Sequence, residues 1–551
     1  MSTLVSDVNG ETFDYIIVGG GSAGCVLANR LSEDPKNSVC LIEAGPKDRH
    51  PFIHIPAAVV TLIRHKTLNW RYNTVKQTNS SNRSVYIPRG RTLGGSSAIN
   101  GMIYMRGHPL DFDDWAAMGN PGWGFKDVLP YFKKSENNET LGGEFHGKGG
   151  LLNVSELEKR NELTDAYLEA TDSLQLPRRD DFNAEDNEGF GYRQLTIKKG
   201  RRHSTAVAFL KPALGRPNLT VVTDGLVNRV LLDGKRAVGI ELKSGGAMRR
   251  VSCAKEVILT SGAVGSPMIL LRSGIGPASE IAKHGLPVLH ELPGVGRNFH
   301  DHQAVSITVS TSTTASYAIT FKKLPWIAWN ILRYGLTRRG FLAGNMIEGG
   351  GFTKTDPRLD RTDMQFGFMP GLRKPNGSFI NAGYGYTLAA MMLRPKSRGT
   401  VTLSGPNPED GPLIDPNFFA EPDDIEVMLK GVKTARRMLD APAFAKYGGQ
   451  ETKPGKAVQT DDELRQFIRD TASTVYHPAG TCAMGPGAEA VVDAQLRVHG
   501  IEGLRVVDAS IMPVVIGGNT NAPTIMIAEK GADMILGKPA LPPANVAYGR
   551  R

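Results

Sequence analysis

The first residues of this chain with the types and spacing for chemistry are glycines. Phe13-Asp14-Tyr15-Ile16-Ile17-Val18 is an apolar run of strand type that enters the turn Gly19-Gly20-Gly21-Ser22-Ala23-Gly24. Cys25 to Leu31 continues at helical spacing, Ser38 to Ile42 reads as a second buried strand, and that strand ends at Glu43. Strand, G-x-G-x-x-G, helix, strand, acid is the order that a dinucleotide-binding fingerprint requires. Gly19 permits the tight turn, Gly21 lets backbone approach a pyrophosphate, and Gly24 brings helix close to strand. The helix N-terminus then faces the phosphates. Glu43, 24 residues after Gly19, is placed to accept from both hydroxyls of an adenosine ribose. These residues alone leave FAD and NAD both open.

Other reactive side chains carry less. His300-Asp301-His302 resembles a metal dyad, but no third ligand is evident, so a hydrogen-bonded turn is expected and no metal. Cys482 stands five residues from His477 and can form a Cys–His pair, but a lone histidine among 12 is ordinarily structural. Four cysteines in 551 residues cannot form a disulfide scaffold. Cys25 and Cys40 read as small hydrophobes of the nucleotide fold.

The elements that must position these residues lie far apart in sequence. Arg89 to Gly101 is a loop of small residues that lets backbone approach a flat ligand. Glu256 to Ala263 is a buried strand ending in small residues, and Gly503 to Ser510 is another strand, closed by Asp508. Val305–Val309 and Thr400–Leu403 have strand character, while Asp423–Leu439 and Asp461–Thr471 have helical spacing. Gly383 to Met392 reads as core sheet, part of it lining an apolar cavity.

Composition excludes several classes. With 40% hydrophobic and 22% charged residues, the chain is not disordered. No apolar run approaches the length of a membrane-spanning helix. Met1 to Glu11 is polar and lacks the apolar stretch of a secretory signal, so a cytoplasmic location is expected. The net charge of +10 is scattered along the chain. Its densest run, Lys198-Lys199-Gly200-Arg201-Arg202, reads as a solvated turn, and no nucleic-acid partner is expected.

Taken in order, these segments resemble the glucose–methanol–choline (GMC) flavoenzyme family, nearest to its bacterial alcohol dehydrogenase and choline dehydrogenase-like members. The resemblance runs from about Phe13 to Leu536. It implies an α/β architecture with a Rossmann-like FAD-binding domain built from residues 13–155, 190–305 and 486–538. A substrate domain with an antiparallel sheet and helices is implied over 306–485, with 156–189 contributing. Residues 1–12 and 539–551 are expected to be flexible tails.

The resemblance also implies roles. His477, in Val475-Tyr476-His477-Pro478, and Asn519, in Gly517-Gly518-Asn519-Thr520-Asn521, match the family's catalytic pair above the flavin. Imidazole, with a pKa of about 6.5, takes an alcohol proton at neutral pH, and an amide N–H holds the same oxygen. FAD contacts are implied at Gly19, Gly21, Ser22, Ala23, Gly24, Glu43, Ala44 and Trp70. They continue through Leu93, Gly94, Gly95, Ser97, Asn100, Gly101 and Met102. Val227, Ala263, Asp508, Ala509, Thr520 and Asn521 complete the set. Where some relatives attach FAD covalently through a histidine before the Asn, this chain has Ile99, so FAD is expected to be non-covalent.

The implied reaction is oxidation of a primary alcohol to an aldehyde by hydride transfer to flavin N5, an uncharged aliphatic alcohol ranking first. Electrons are expected to pass to a quinone or another acceptor that is not oxygen. Alternatives are a choline dehydrogenase, an oxygen-using alcohol oxidase, an FAD-containing hydroxynitrile lyase and a non-catalytic flavin-binding partner. Residues 322–339 hold Trp326, Trp329 and Tyr334 between basic residues. That segment reads either as a helix covering the substrate channel or as a peripheral contact with the inner face of the membrane.

Overall fold

Phe13–Val18 and Val39–Ile42 are apolar on both faces, the pattern of strands covered on two sides. In the computed structural model, which describes residues 4–5, 8–372 and 382–549, they are parallel neighbours. Across the eight-stranded sheet the order is Leu4–Val5, Leu219–Val222, Val39–Ile42, Thr12–Val18, Ala247–Leu259, Arg236–Ser244 and Leu226–Asp233. Leu504–Val506 adds in parallel beside Val257–Leu259. Helices Ser22–Leu31, Gly262–Arg272 and Asn521–Ile535 follow strands of this sheet, and the first packs on the third. Their N-termini gather near the carboxyl ends of the parallel strands, where open α/β sheets bind ligands.

A second, antiparallel sheet faces that edge. Its order is Gln450–Lys453, Gln303–Ser310, Gly385–Met392, Met364–Met369, Gly349–Thr353 and Gly189–Tyr192, with Ser473–Thr474 also paired to Gln303–Ser310. Period-two alternation divides its faces. Val305, Ile307, Met364, Phe366, Phe368, Leu388 and Ala390 join one core, covered by helices Pro422–Leu439 and Glu162–Ser173. Their alternates, Ser306, Thr308, Gln365, Gly367, Met369, Thr387, Ala389 and Met391, face a cavity.

Several expectations need correction. Gly189–Tyr192 belongs to the antiparallel sheet, and the strand expected to begin the substrate domain starts at Gln303. Both terminal segments make contacts with the body of the protein. Leu4–Val5 pairs with Val221–Val222. Leu541 N donates to Tyr131 Oη at 3.1 Å, Ala544 N donates to Lys126 O at 2.8 Å, and the Tyr548 ring packs on Phe125. The basic run 198–202 does form a hairpin turn, but Arg202 is fully buried. Its Nε donates to Ile53 O at 2.8 Å and its Nη1 to Asn100 O at 2.6 Å. Those loop carbonyls take the hydrogens of Nε and Nη1. Among the described residues, no helix is long and apolar enough to cross a membrane.

Candidate active site

A cavity of about 1110 Å³ lies between the two sheets. One end is walled by the glycine turn and Glu43, the other by the antiparallel sheet and His477. His477 is buried, and its backbone N donates to Asp301 Oδ1 at 2.8 Å. Its Nδ1 lies 3.0 Å from His302 Nδ1, and its Nε2 lies 3.0 Å from Asn519 Nδ2. Asn519 Oδ1 accepts from Gln365 Nε2 at 3.4 Å. Burial, with the charges of Arg89 and Arg193 nearby, holds the His477 imidazole well below the ordinary value of 6.5. A neutral histidine, with one unprotonated ring nitrogen, is therefore the form present at neutral pH.

The HDH segment is split by function. His300 Nδ1 lies 2.5 Å from Asn298 O, and its Nε2 accepts from Val515 N at 2.8 Å, fixing the loop that leads to Asn519. Asp301 accepts from His477 N and from the Thr474 hydroxyl. His302 touches the candidate base itself. Asp111 adds a tether: it accepts from Gly517 N at 2.6 Å and pairs with Arg394 at 2.7 Å. Among the described residues, no group of three or more His, Cys, Asp or Glu is arranged to hold a metal ion.

Family models described as GMC oxidoreductase match residues 13–304 and 395–528. An alcohol dehydrogenase [acceptor] from Pseudomonas putida is 44% identical over 540 residues, covering 98% of each chain. The chain belongs to the GMC oxidoreductase family. Human mitochondrial choline dehydrogenase is 42% identical over 547 residues, covering 96% of this chain and 91% of that one. Among solved structures, pyridoxine 4-oxidase from Mesorbium loti superposes with a TM-score of 0.86 at 33% identity, covering 96% of this chain and 100% of the other. An FAD-dependent oxidoreductase from Chaetomium thermophilum matches with a TM-score of 0.86 at 27% identity, covering 95% and 99%.

FAD is the cofactor of this GMC oxidoreductase, and the cavity fits it. A Cβ on Gly24 would stand 1.9 Å from Gly19 O, so helix and strand close on each other there. A Cβ on Gly95 would stand 2.6 Å from Gly21 Cα, so the two glycine loops meet backbone to backbone at the cavity wall. Ser22 Oγ donates to Asn521 Oδ1 at 2.8 Å, joining the N-termini of two helices at that wall. Helix N-termini favour anions such as a pyrophosphate.

Most of the expected contacts line this space: Gly19, Gly21, Ser22, Ala23, Glu43, Ala44, Trp70, Gly95, Asn100, Gly101, Met102, Val227, Ala263, Asp508, Ala509, Thr520 and Asn521. Four do not. Gly24, Leu93, Gly94 and Ser97 stand a layer behind, where Gly94 N donates to Gly20 O at 2.7 Å and Ser97 Oγ bonds Gly94 O at 2.6 Å. Glu43 accepts from Gly20 N at 2.9 Å and Gly45 N at 2.8 Å, yet burial pushes its carboxyl up to about 7. Asp508 bonds Gly262 N, Ser266 Oγ and Ser510 N, which ties the last strand to the helix after Leu259. Ile99 lines the cavity from a cluster with Ile53, Leu62, Leu68 and Ala98. Cys482 is a core residue whose thiol burial holds well above its ordinary range.

Sequence reasoning missed Gln365, Arg193 and Arg202 and assigned His302 only to a turn. Gln365 had a usable signal, a polar side chain inside the strand run Met-Gln-Phe-Gly-Phe-Met.

Proposed function

We propose that this GMC oxidoreductase oxidises a primary alcohol to an aldehyde, with His477 as the base and Asn519 as the oxygen-holding donor. The observation that carries the reading is the pair His477 Nε2 and Asn519 Nδ2, 3.0 Å apart at the cavity wall. An alcohol oxygen seated in the cavity against both gives its proton to Nε2 and takes an amide N–H. Bound FAD supplies the hydride acceptor. The low proton affinity of His477 keeps Nε2 open for that proton, and Gln365 holds Asn519 so that its N–H points toward the imidazole. Ile99 has no nucleophile, which favours non-covalent FAD.

For the acceptor we favour a quinone over oxygen. The Pseudomonas putida relative is named for an unspecified acceptor, while an Escherichia coli relative at 42% identity is named an oxygen-dependent choline dehydrogenase. A surface feature of this chain supports the quinone. Helix Leu324–Thr337 buries Asn330 and Tyr334 but leaves Trp329 61% and Leu336 78% exposed, with Phe321 80% exposed before it. Lys322, Arg338 and Arg339 stand exposed at its ends. That composition suits the headgroup layer of an anionic membrane, where each basic residue contributes about 1 kcal/mol. Anaerobic mixing with a primary alcohol tests the reaction: bleaching supports it, and a flavin that stays yellow with every alcohol refutes it.

A further inference from the structure

Arg193 follows strand Gly189–Tyr192 and lies over the cavity face of the antiparallel sheet. Two glycines make room for it. A Cβ on Gly350 would stand 2.1 Å from its Nη2, and one on Gly367 would stand 3.6 Å from its Nη1. The side chain is 2% exposed, its Nη2 donates to Phe366 O, and its Nε has no hydrogen-bond partner. Among the described residues, no carboxylate pairs with it, and the partner of its head group is the Phe366 carbonyl. The acidic residues lining the cavity, Glu43, Glu409, Asp410 and Asp508, belong to or adjoin the nucleotide half.

A buried guanidinium without a counter-charge is costly unless a ligand brings the missing charge. Burial lowers its proton affinity only to about 10, so it stays cationic at neutral pH. Its place relative to the chemistry follows from the strand. Gln365, which holds Asn519, and Gly367, beneath the guanidinium, are two residues apart on one face, roughly 7 Å along the strand. The charge also reaches His477. A molecule with its carbinol at His477 and an anionic group a few carbons away would meet both sites at once.

We propose that Arg193 is the carboxylate-anchoring residue of the substrate chamber, so that this enzyme prefers short-chain ω-hydroxycarboxylates and excludes quaternary ammonium alcohols such as choline. The proposal rests on the alcohol-oxidising reading and narrows its substrate from an uncharged alkanol to one with a distal carboxylate. With Nη2 on Phe366 O and Nε shut in, Nη1 is the guanidinium nitrogen left to donate to a carboxylate, a charge-assisted bond.

The test compares ε-hydroxycaproate, hexanol and choline as anaerobic reductants of the wild-type holoenzyme and of Arg193→Met and Arg193→Lys, with FAD content and Tm as controls on folding. Wild type should prefer ε-hydroxycaproate over hexanol in kcat/KM and show no reduction by choline. In Arg193→Met the loss on ε-hydroxycaproate should exceed the loss on hexanol by about 10–100-fold, the worth of a hydrogen bond to a charged group. That difference should fall on KM, and Arg193→Lys should recover part of it. Hexanoate, which cannot be oxidised as an alcohol, should perturb the flavin spectrum of wild type and not of Arg193→Met. Equal losses on both alcohols would instead assign Arg193 to the reacting oxygen and overturn the anchor. A wild type that prefers hexanol or choline overturns it as well. If no alcohol bleaches the flavin, the oxidation reading fails, while hexanoate binding still decides the anchor. A variant that loses FAD hands the decision to Arg193→Lys and to the wild-type preference.

Discussion

The Nδ1 atoms of His302 and His477 lie 3.0 Å apart, close enough to share one proton. Asn519 turns its oxygen to Gln365 and its N–H to His477 Nε2. The remaining proton of the neutral His477 ring therefore sits on Nδ1 and is donated to His302. Burial lowers His302 to about 4, so His302 is neutral and able to accept. We propose that His302 thereby favours the tautomer in which the cavity-facing nitrogen of His477 is unprotonated, acting as a positioning residue.

Replacing His302 with Phe removes that acceptor while keeping a ring. Flavin reduction by an alcohol should slow by about 10–100-fold, less than the loss of the general base itself, and FAD content should stay at the wild-type level. His302→Asn retains an acceptor and should recover part of the rate. A His302→Phe rate equal to wild type would remove His302 from the account.

The acid limb of the reaction should lie low. Because the His477 pKa is depressed, the base form persists as pH falls through 6.5 and is lost only below the depressed value. The rate of flavin reduction should therefore be level from neutral pH to below 6.5 and then decline. A limb centred at or above 6.5 in stopped-flow reduction would contradict the burial argument.

Ile99 makes the attachment of FAD checkable without activity. Acid precipitation should leave yellow FAD in the supernatant and a colourless pellet. Flavin that remains with the precipitated chain would refute non-covalent binding.

Surface residues Trp329 and Leu336 should govern membrane contact. Wild type should co-sediment with anionic vesicles, less so at high salt because screening weakens the basic residues. The Trp329→Ser, Leu336→Ser variant should sediment less while keeping alcohol-dependent flavin reduction. Equal sedimentation of the two, or none by wild type, removes the membrane contact.

The parts of this site written in contiguous residues were legible in the sequence. Gly19 to Glu43 announces its own strand, turn, helix and acid, because each step is a local backbone requirement. The HDH turn was recognised, but the contact of His302 depends on His477, 175 positions away. Arg193 carries no local signal, since the glycines that admit it come from strands Gly349–Thr353 and Met364–Met369. Arg202 misled because charge runs usually face water, whereas here the carbonyls of Ile53, Ser97 and Asn100 surround it. His477 and Asn519 were legible only through the family resemblance, because nothing in their local sequence says that they meet.

The central claim is that His477 removes the alcohol proton, and single-turnover reduction under anaerobic conditions tests it most directly. Wild type and His477→Ala, matched for bound FAD, are mixed with the best alcohol substrate, and the loss of flavin absorbance is followed. The account predicts full bleaching of wild type and a roughly 10²–10⁴-fold slower reaction in the variant. Reduction of His477→Ala at the wild-type rate would contradict it.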